Sequence, residues 1–107
     1  LRDLSKELST FDKTELRGAT KVAFDVDLTL IDHEDRPLYD NIVFLRWFVD
    51  KGYDVIIWSG GGVSYAEMWA RKLGFEGKVR VVAKGSEPVH LAFDDEEFSL
   101  ADCTVIV

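Results

Sequence analysis

Short apolar runs alternate with amphipathic stretches along most of the chain. Val22-Ala23-Phe24 is an apolar run bounded by charged residues, the pattern of a strand buried on both faces. Val55-Ile56-Ile57-Trp58 repeats it, and residues 79–83, 89–93 and 104–107 supply a third, fourth and fifth strand. Between the first two strands, Ile42, Leu45 and Val49 share one face of a helix expected over 41–51. Asp40 stands where it can cap that helix and Gly52 where it can stop it. Between the second and third strands, Ser64 and Glu67 form a capping-box pattern that opens another helix. It runs to Gly74, with Ala66, Trp69 and Leu73 inward. Residues 27–39 are polar, contain Pro37 and read as a loop or flap. Leu1, Leu4, Leu8 and Phe11 predict an amphipathic helix over residues 1–17 that lies on the domain.

Strand, helix, strand, helix, strand is the order of a parallel sheet with right-handed crossovers. The expected fold is α/β, a three-layer Rossmann-like sheet of about five strands flanked by helices. No repeat or linker divides the chain, so residues 1–107 read as a single domain.

Composition narrows the function classes. Hydrophobic residues at 47% against 31% charged exclude a disordered chain. No apolar run approaches the ~20 residues of a membrane span, so no membrane partner is expected. Thirteen Lys and Arg against 20 Asp and Glu leave a net charge of −7, which repels a phosphate backbone and argues against broad nucleic-acid binding. The single cysteine, Cys103, makes no internal disulfide, and no secretory leader is visible. Both point to the cytoplasm.

In parallel sheets ligands bind beyond the carboxyl ends of the strands. Asp25 and Asp27 follow strand one, Ser59 follows strand two, Lys84 follows strand three, and Asp94 and Asp95 follow strand four. Each has a bland explanation: carboxylates end strands, glycines make turns, lysines are solvated, and residues 94–97 make an acidic surface turn. Together they are complementary. Ser59 and Gly60 open a turn into a helix N-terminus, where free N–H groups and the helix dipole favour an anion. Lys84 offsets carboxylate repulsion and can hold a phosphate oxygen. Two acidic pairs facing one another leave negative charge uncompensated unless a cation binds, and Mg2+ suits a few carboxylate oxygens plus water and phosphate. His33 and His90 show no ligand spacing with each other or with Cys103, so zinc is not expected and His90 reads as structural.

The set Asp25-x-Asp27-x-Thr29, Ser59, Lys84 and Asp94-Asp95, in that order, resembles the four motifs of the haloacid dehalogenase superfamily of phosphohydrolases. The resemblance spans residues 22–95. It implies Mg2+-dependent hydrolysis of a phosphomonoester through an aspartyl-phosphate. By position, Asp25 is then the nucleophile. Asp27 is the general acid and base, and its backbone carbonyl also binds the metal. Ser59 and the Gly60 N–H hold the phosphate, while Lys84 fixes both the phosphate and Asp25. Asp95 is the direct metal ligand, Asp94 reaches the ion directly or through water, and Thr29 braces the loop. Resemblance also implies that an acid at Asp27 marks a phosphatase rather than an ATPase or dehalogenase. The chain departs from the family pattern in one place: residues 84–88 alone replace the usual helix between strands three and four.

Two rivals stand beside this reading. A response-regulator receiver also joins acidic residues, a hydroxyl and a lysine at strand ends, but has no place for Asp27-x-Thr29. A catalytically silent binding or assembly module on the same type of sheet is the other. Neither the stretch after Asp27 nor the stretch between Ser59 and Lys84 has room for a cap domain, so the expected site is open. An open site suits a phosphate on a macromolecule, or a small substrate covered by a neighbouring copy in a homo-oligomer.

Overall fold

Alternation along the strands sorts the core into two faces. A computed structural model describes residues 19–97 and 99–107; the helix expected over 1–17 lies outside the described residues. The elements are β1 (Lys21–Asp25), α1 (Tyr39–Asp50), β2 (Asp54–Trp58), α2 (Val63–Lys72), β3 (Arg80–Val81), β4 (Val89–Asp94) and β5 (Ala101–Ile106). They form one parallel five-stranded sheet in the order β3-β2-β1-β4-β5, the α/β fold that the sequence pattern predicts.

Val22 and Phe24 of β1, Val55 and Ile57 of β2, and Leu91 and Phe93 of β4 share the face on which both helices pack. Ile42, Leu45 and Phe48 come from α1, and Ala66, Trp69 and Ala70 from α2. Phe24 and Phe93 stack at 4.4 Å between ring centres, fastening β1 to β4. Both helices lie on one face because the β1-to-β2 and β2-to-β3 crossovers step in the same direction with the same hand. On the other face, Ala23, Ile56, Trp58 and Ala92 make a smaller cluster that also takes in Val89 at the start of β4, with Val82 against it. Residues 82–88 must pass from the β3 edge across β2 and β1 to reach β4. They do so without a helix, through a turn at residues 84–85 closed by the Ser86 N–H on the Ala83 carbonyl.

Several element ends differ from expectation. Helix α1 begins at Tyr39, with Leu38 as its N-cap and no side-chain cap; Asp40 lies inside the first turn instead. The Leu38 carbonyl accepts from the Asn41 and Ile42 N–H groups, and its own N–H donates to Leu30, so the backbone fixes the helix entry. Gly62, at φ +106°, is the N-cap of α2, which leaves Ser64 within the helix and the expected capping box unformed. Strand β3 keeps only the two residues paired with Ile56 and Ile57, because the chain leaves the edge early to begin its crossing. Strand β5 starts at Ala101, since β4 offers ladder partners from Val89 onward.

The strand order reverses beside β1. Successive crossovers run from β1 to β2 and β3 on one side, and β4 and β5 lie on the other. The crevice above the carboxyl ends of β1 and β4 is therefore the topological switch point, where open α/β sheets bind ligands.

Candidate functional site

Ladder register brings the site residues to one level. Asp25 pairs with Trp58 across β1 and β2, and Phe24 pairs with Phe93 across β1 and β4. Asp25, Ser59 and Asp94 therefore emerge from neighbouring strands within one residue of the same height, and Asp25, Ser59 and Asp94 are all buried.

Lys84 ties this group together. Its Nζ lies 2.8 Å from Asp94 Oδ2 and 3.3 Å from Asp25 Oδ1, with about a quarter (26%) of the lysine side chain exposed. Asp25, Asp94 and Asp95 each offer a carboxylate oxygen, and these lie within 4.8 Å of one another. Burial, reinforced by the neighbouring Asp94 charge, pushes the Asp25 carboxyl up to about 6 against the pull of Lys84. Burial works upward on Asp94 too, but its hydrogen bonds from Lys84 and from the Glu96 N–H prevail and hold it below the usual range. Asp95 is raised, by burial and by the Asp94 carboxylate beside it. Lys84 loses some affinity for its proton to burial and regains more from its two carboxylates, so it stays an ammonium.

Three carboxylates face one ammonium, an excess of two negative charges at a largely buried point. Such an arrangement is expensive unless a cation completes it. All three donors are hard oxygens with no thiol or imidazole among them, a set that fits Mg2+.

Asp27 stands apart. It is exposed, its carboxylate is outside the three-oxygen cluster, and its Oδ1 accepts a 2.8 Å hydrogen bond from the Tyr65 hydroxyl on α2. Burial and the Asp27 carboxylate both push the Tyr65 phenol up, so it is a protonated donor. Asp27 lies within a tight turn: the Val26 carbonyl accepts from the Thr29, Leu30 and Ile31 N–H groups, and Leu28 takes φ +62°. That left-handed backbone is uncommon for a leucine and holds the turn in one shape.

Thr29 braces this loop, but not through its hydroxyl. Its buried Oγ1 has no hydrogen-bond partner, while its carbonyl accepts 2.8 Å from Asn41 Nδ2 on α1. Ser59 organises the next turn: its Oγ accepts from Gly61 N–H at 3.0 Å and its carbonyl from Gly62 N–H at 3.1 Å. Gly60 is exposed, and a Cβ there would meet nothing within 4 Å, so the space beside its backbone is open.

The expected residues thus divide. Asp25, Lys84, Asp94 and Asp95 converge; Ser59 and Gly60 stand at the adjoining strand end; Asp27 is held at the mouth. Asn41 and Tyr65 take part without having been expected. The phase of α2 sets Tyr65 one turn before Trp69, yet no pattern along the chain puts it opposite Asp27. Cavities beside the β3 edge (about 340 Å3, lined by Glu67, Arg71 and Val79 among others) and beside Pro37 and Lys72 (about 310 Å3) do not include these carboxylates. Among the described residues no helix is long and apolar enough to cross a membrane. No protein-family model, curated protein or solved structure matches the chain.

Proposed function

We propose that the protein is a Mg2+-dependent phosphatase of the haloacid dehalogenase type, hydrolysing a phosphomonoester through an aspartyl-phosphate. One observation carries this reading: a single ammonium, Lys84, bridges Asp25 and Asp94 while Asp95 closes a three-carboxylate cluster beside them. A nucleophile, a charge neutraliser and a metal-ligand set then share one strand-end crevice.

In the proposed reaction an Asp25 carboxylate oxygen attacks phosphorus as the bond to the leaving oxygen breaks. At about 6, the Asp25 carboxyl is ionised at neutral pH and still basic for a carboxylate, which favours attack. Lys84 offsets charge on the transferring group, and the Ser59 hydroxyl and Gly60 N–H hold its oxygens. Asp27 gives a proton to the leaving oxygen, then takes one from the water that splits the aspartyl-phosphate. Asp25, Asp94, Asp95 and the Asp27 carbonyl would hold Mg2+, which would supply Lewis-acid neutralisation of the phosphate. The second carboxylate at Asp27 favours turnover over the stable phospho-acceptor of a receiver, and over a silent assembly module.

The loop after β1 closes on itself within residues 26–38, with Leu38 N–H on Leu30, and leaves no cap domain there. A substrate carrying its phosphate on something large, such as a protein side chain, suits that open crevice. A reducing cytoplasm suits the free thiol of Cys103. Phosphate release from p-nitrophenyl phosphate in Mg2+, compared with Asp25→Asn, tests the reading. Release that depends on both the metal and Asp25 supports it. No release, or release unchanged in Asp25→Asn, overturns it, and stable labelling by acetyl phosphate would point to the receiver instead.

A further inference from the structure

Resting on the phosphatase reading above, we infer that Tyr65 is the positioning residue of Asp27, holding the acid-base carboxylate at the mouth of the crevice on the leaving-group side. The 2.8 Å hydrogen bond from Tyr65 Oη to Asp27 Oδ1 is the tie. Asp27 sits within the turn after β1 and is exposed, and among the described residues Tyr65 is the group that restrains its carboxylate. An unrestrained aspartate in water samples several rotamers, and a proton donor that must meet a departing oxygen loses rate with each wrong one.

The tyrosine is itself fixed. A Cβ at Gly61 would lie 3.1 Å from Tyr65 Cδ2 and 3.4 Å from Ser59 Oγ, so the bare backbone of Gly61 is what admits the ring beside the Ser59 turn. Ring, hydroxyl and carboxylate thus form a chain from the start of α2 to the turn after β1. Tyr65 couples the turn proposed to hold the phosphate to the group proposed to protonate the leaving oxygen.

A leaving group that needs no proton separates this role from a structural one. The value of kcat/KM reports steps up to loss of the leaving group, so it isolates the acid function of Asp27. Tyr65→Phe keeps the ring and removes the hydroxyl. Relative to wild type, its kcat/KM should fall about tenfold for an alkyl phosphate but less than about twofold for p-nitrophenyl phosphate, part of the range general-acid catalysis supplies. Asp27→Asn should show the same contrast more strongly, and adding Tyr65→Phe to it should change neither value. The melting temperature of Tyr65→Phe should stay within about 2 °C of wild type, as expected for a surface hydroxyl. Equal losses on both substrates, no loss on either, or a further loss in the double variant overturns the role of Tyr65 while leaving the phosphatase reading intact. Wild-type protein that hydrolyses neither ester overturns both. Asp27→Asn without leaving-group contrast removes Asp27 as the acid, and Tyr65 with it.

Discussion

Lys84 Nζ sits 2.8 Å from Asp94 Oδ2, a contact that joins the start of the β3-to-β4 crossing to the end of the next strand. The same nitrogen reaches Asp25 on β1 at 3.3 Å. A crossing too short for a helix therefore delivers Lys84 to the point where β1 and β4 leave their carboxylates. Removing it should expose how much the cluster strains the fold. Lys84→Met leaves three neighbouring carboxylates without an ammonium and should lower stability by about 3 kcal/mol in EDTA, the scale of breaking a largely buried pair. Mg2+ should restore part of that loss. A thermal melt with and without Mg2+ checks both; an unchanged melting temperature in EDTA would sink this account of the cluster.

Asp25 makes metal-free stability depend on pH. In the folded chain its carboxyl titrates at about 6, against 3.8 in its ordinary state. Between those values the unfolded chain has released the proton and the folded chain still holds it, so wild-type stability falls as pH rises from about 4 to 6. Asp25→Asn carries no such titration. In EDTA it should melt higher than wild type at pH 7, by about 5 °C, with the difference closing as the pH approaches 4. It should also abolish turnover. A constant offset across this range would remove the assigned cause.

Asp94 and Asp95 should separate in a metal titration. Asp94 is committed to Lys84 and to the Glu96 N–H, whereas Asp95 is part-exposed and, among the described residues, has no such cation beside it. Asp95→Ala should shift the Mg2+ concentration for half-maximal thermal stabilisation upward by at least about tenfold, as loss of a direct ligand does. Asp94→Ala should shift it less. The reverse order would exchange their roles.

Asn41 and Thr29 invert the usual expectation for a motif threonine. Asn41→Ala removes the donor to the Thr29 carbonyl and should cost about 1 kcal/mol. Thr29→Val exchanges an unpartnered buried hydroxyl for a methyl and should leave stability level or slightly higher. Denaturant midpoints of the two variants decide this; a larger loss in Thr29→Val would mean that the hydroxyl has a partner.

Much of this architecture was written along the chain. Apolar runs at 22–24 and 55–58 had to be buried strands, because no polar position interrupts them; 89–93 carries His90 alone among apolar residues, and the helices between these segments forced parallel pairing. With the strands placed, Asp25, Ser59, Lys84, Asp94 and Asp95 had to gather at the carboxyl edge, since strand direction fixes which end each residue leaves. Local cues fared less well. Asp40 and the Ser64–Glu67 pair look like caps, yet backbone contacts of Leu38 and the positive φ of Gly62 start the helices earlier. What the tertiary structure alone decided is lateral. Which strand lies beside β1, whether Asp27 turns toward Asp25 or toward Tyr65, and which side chain holds Thr29 all depend on approach between residues far apart in sequence. Periodicity along a chain records which face a residue occupies, and distances across the sheet leave no such mark.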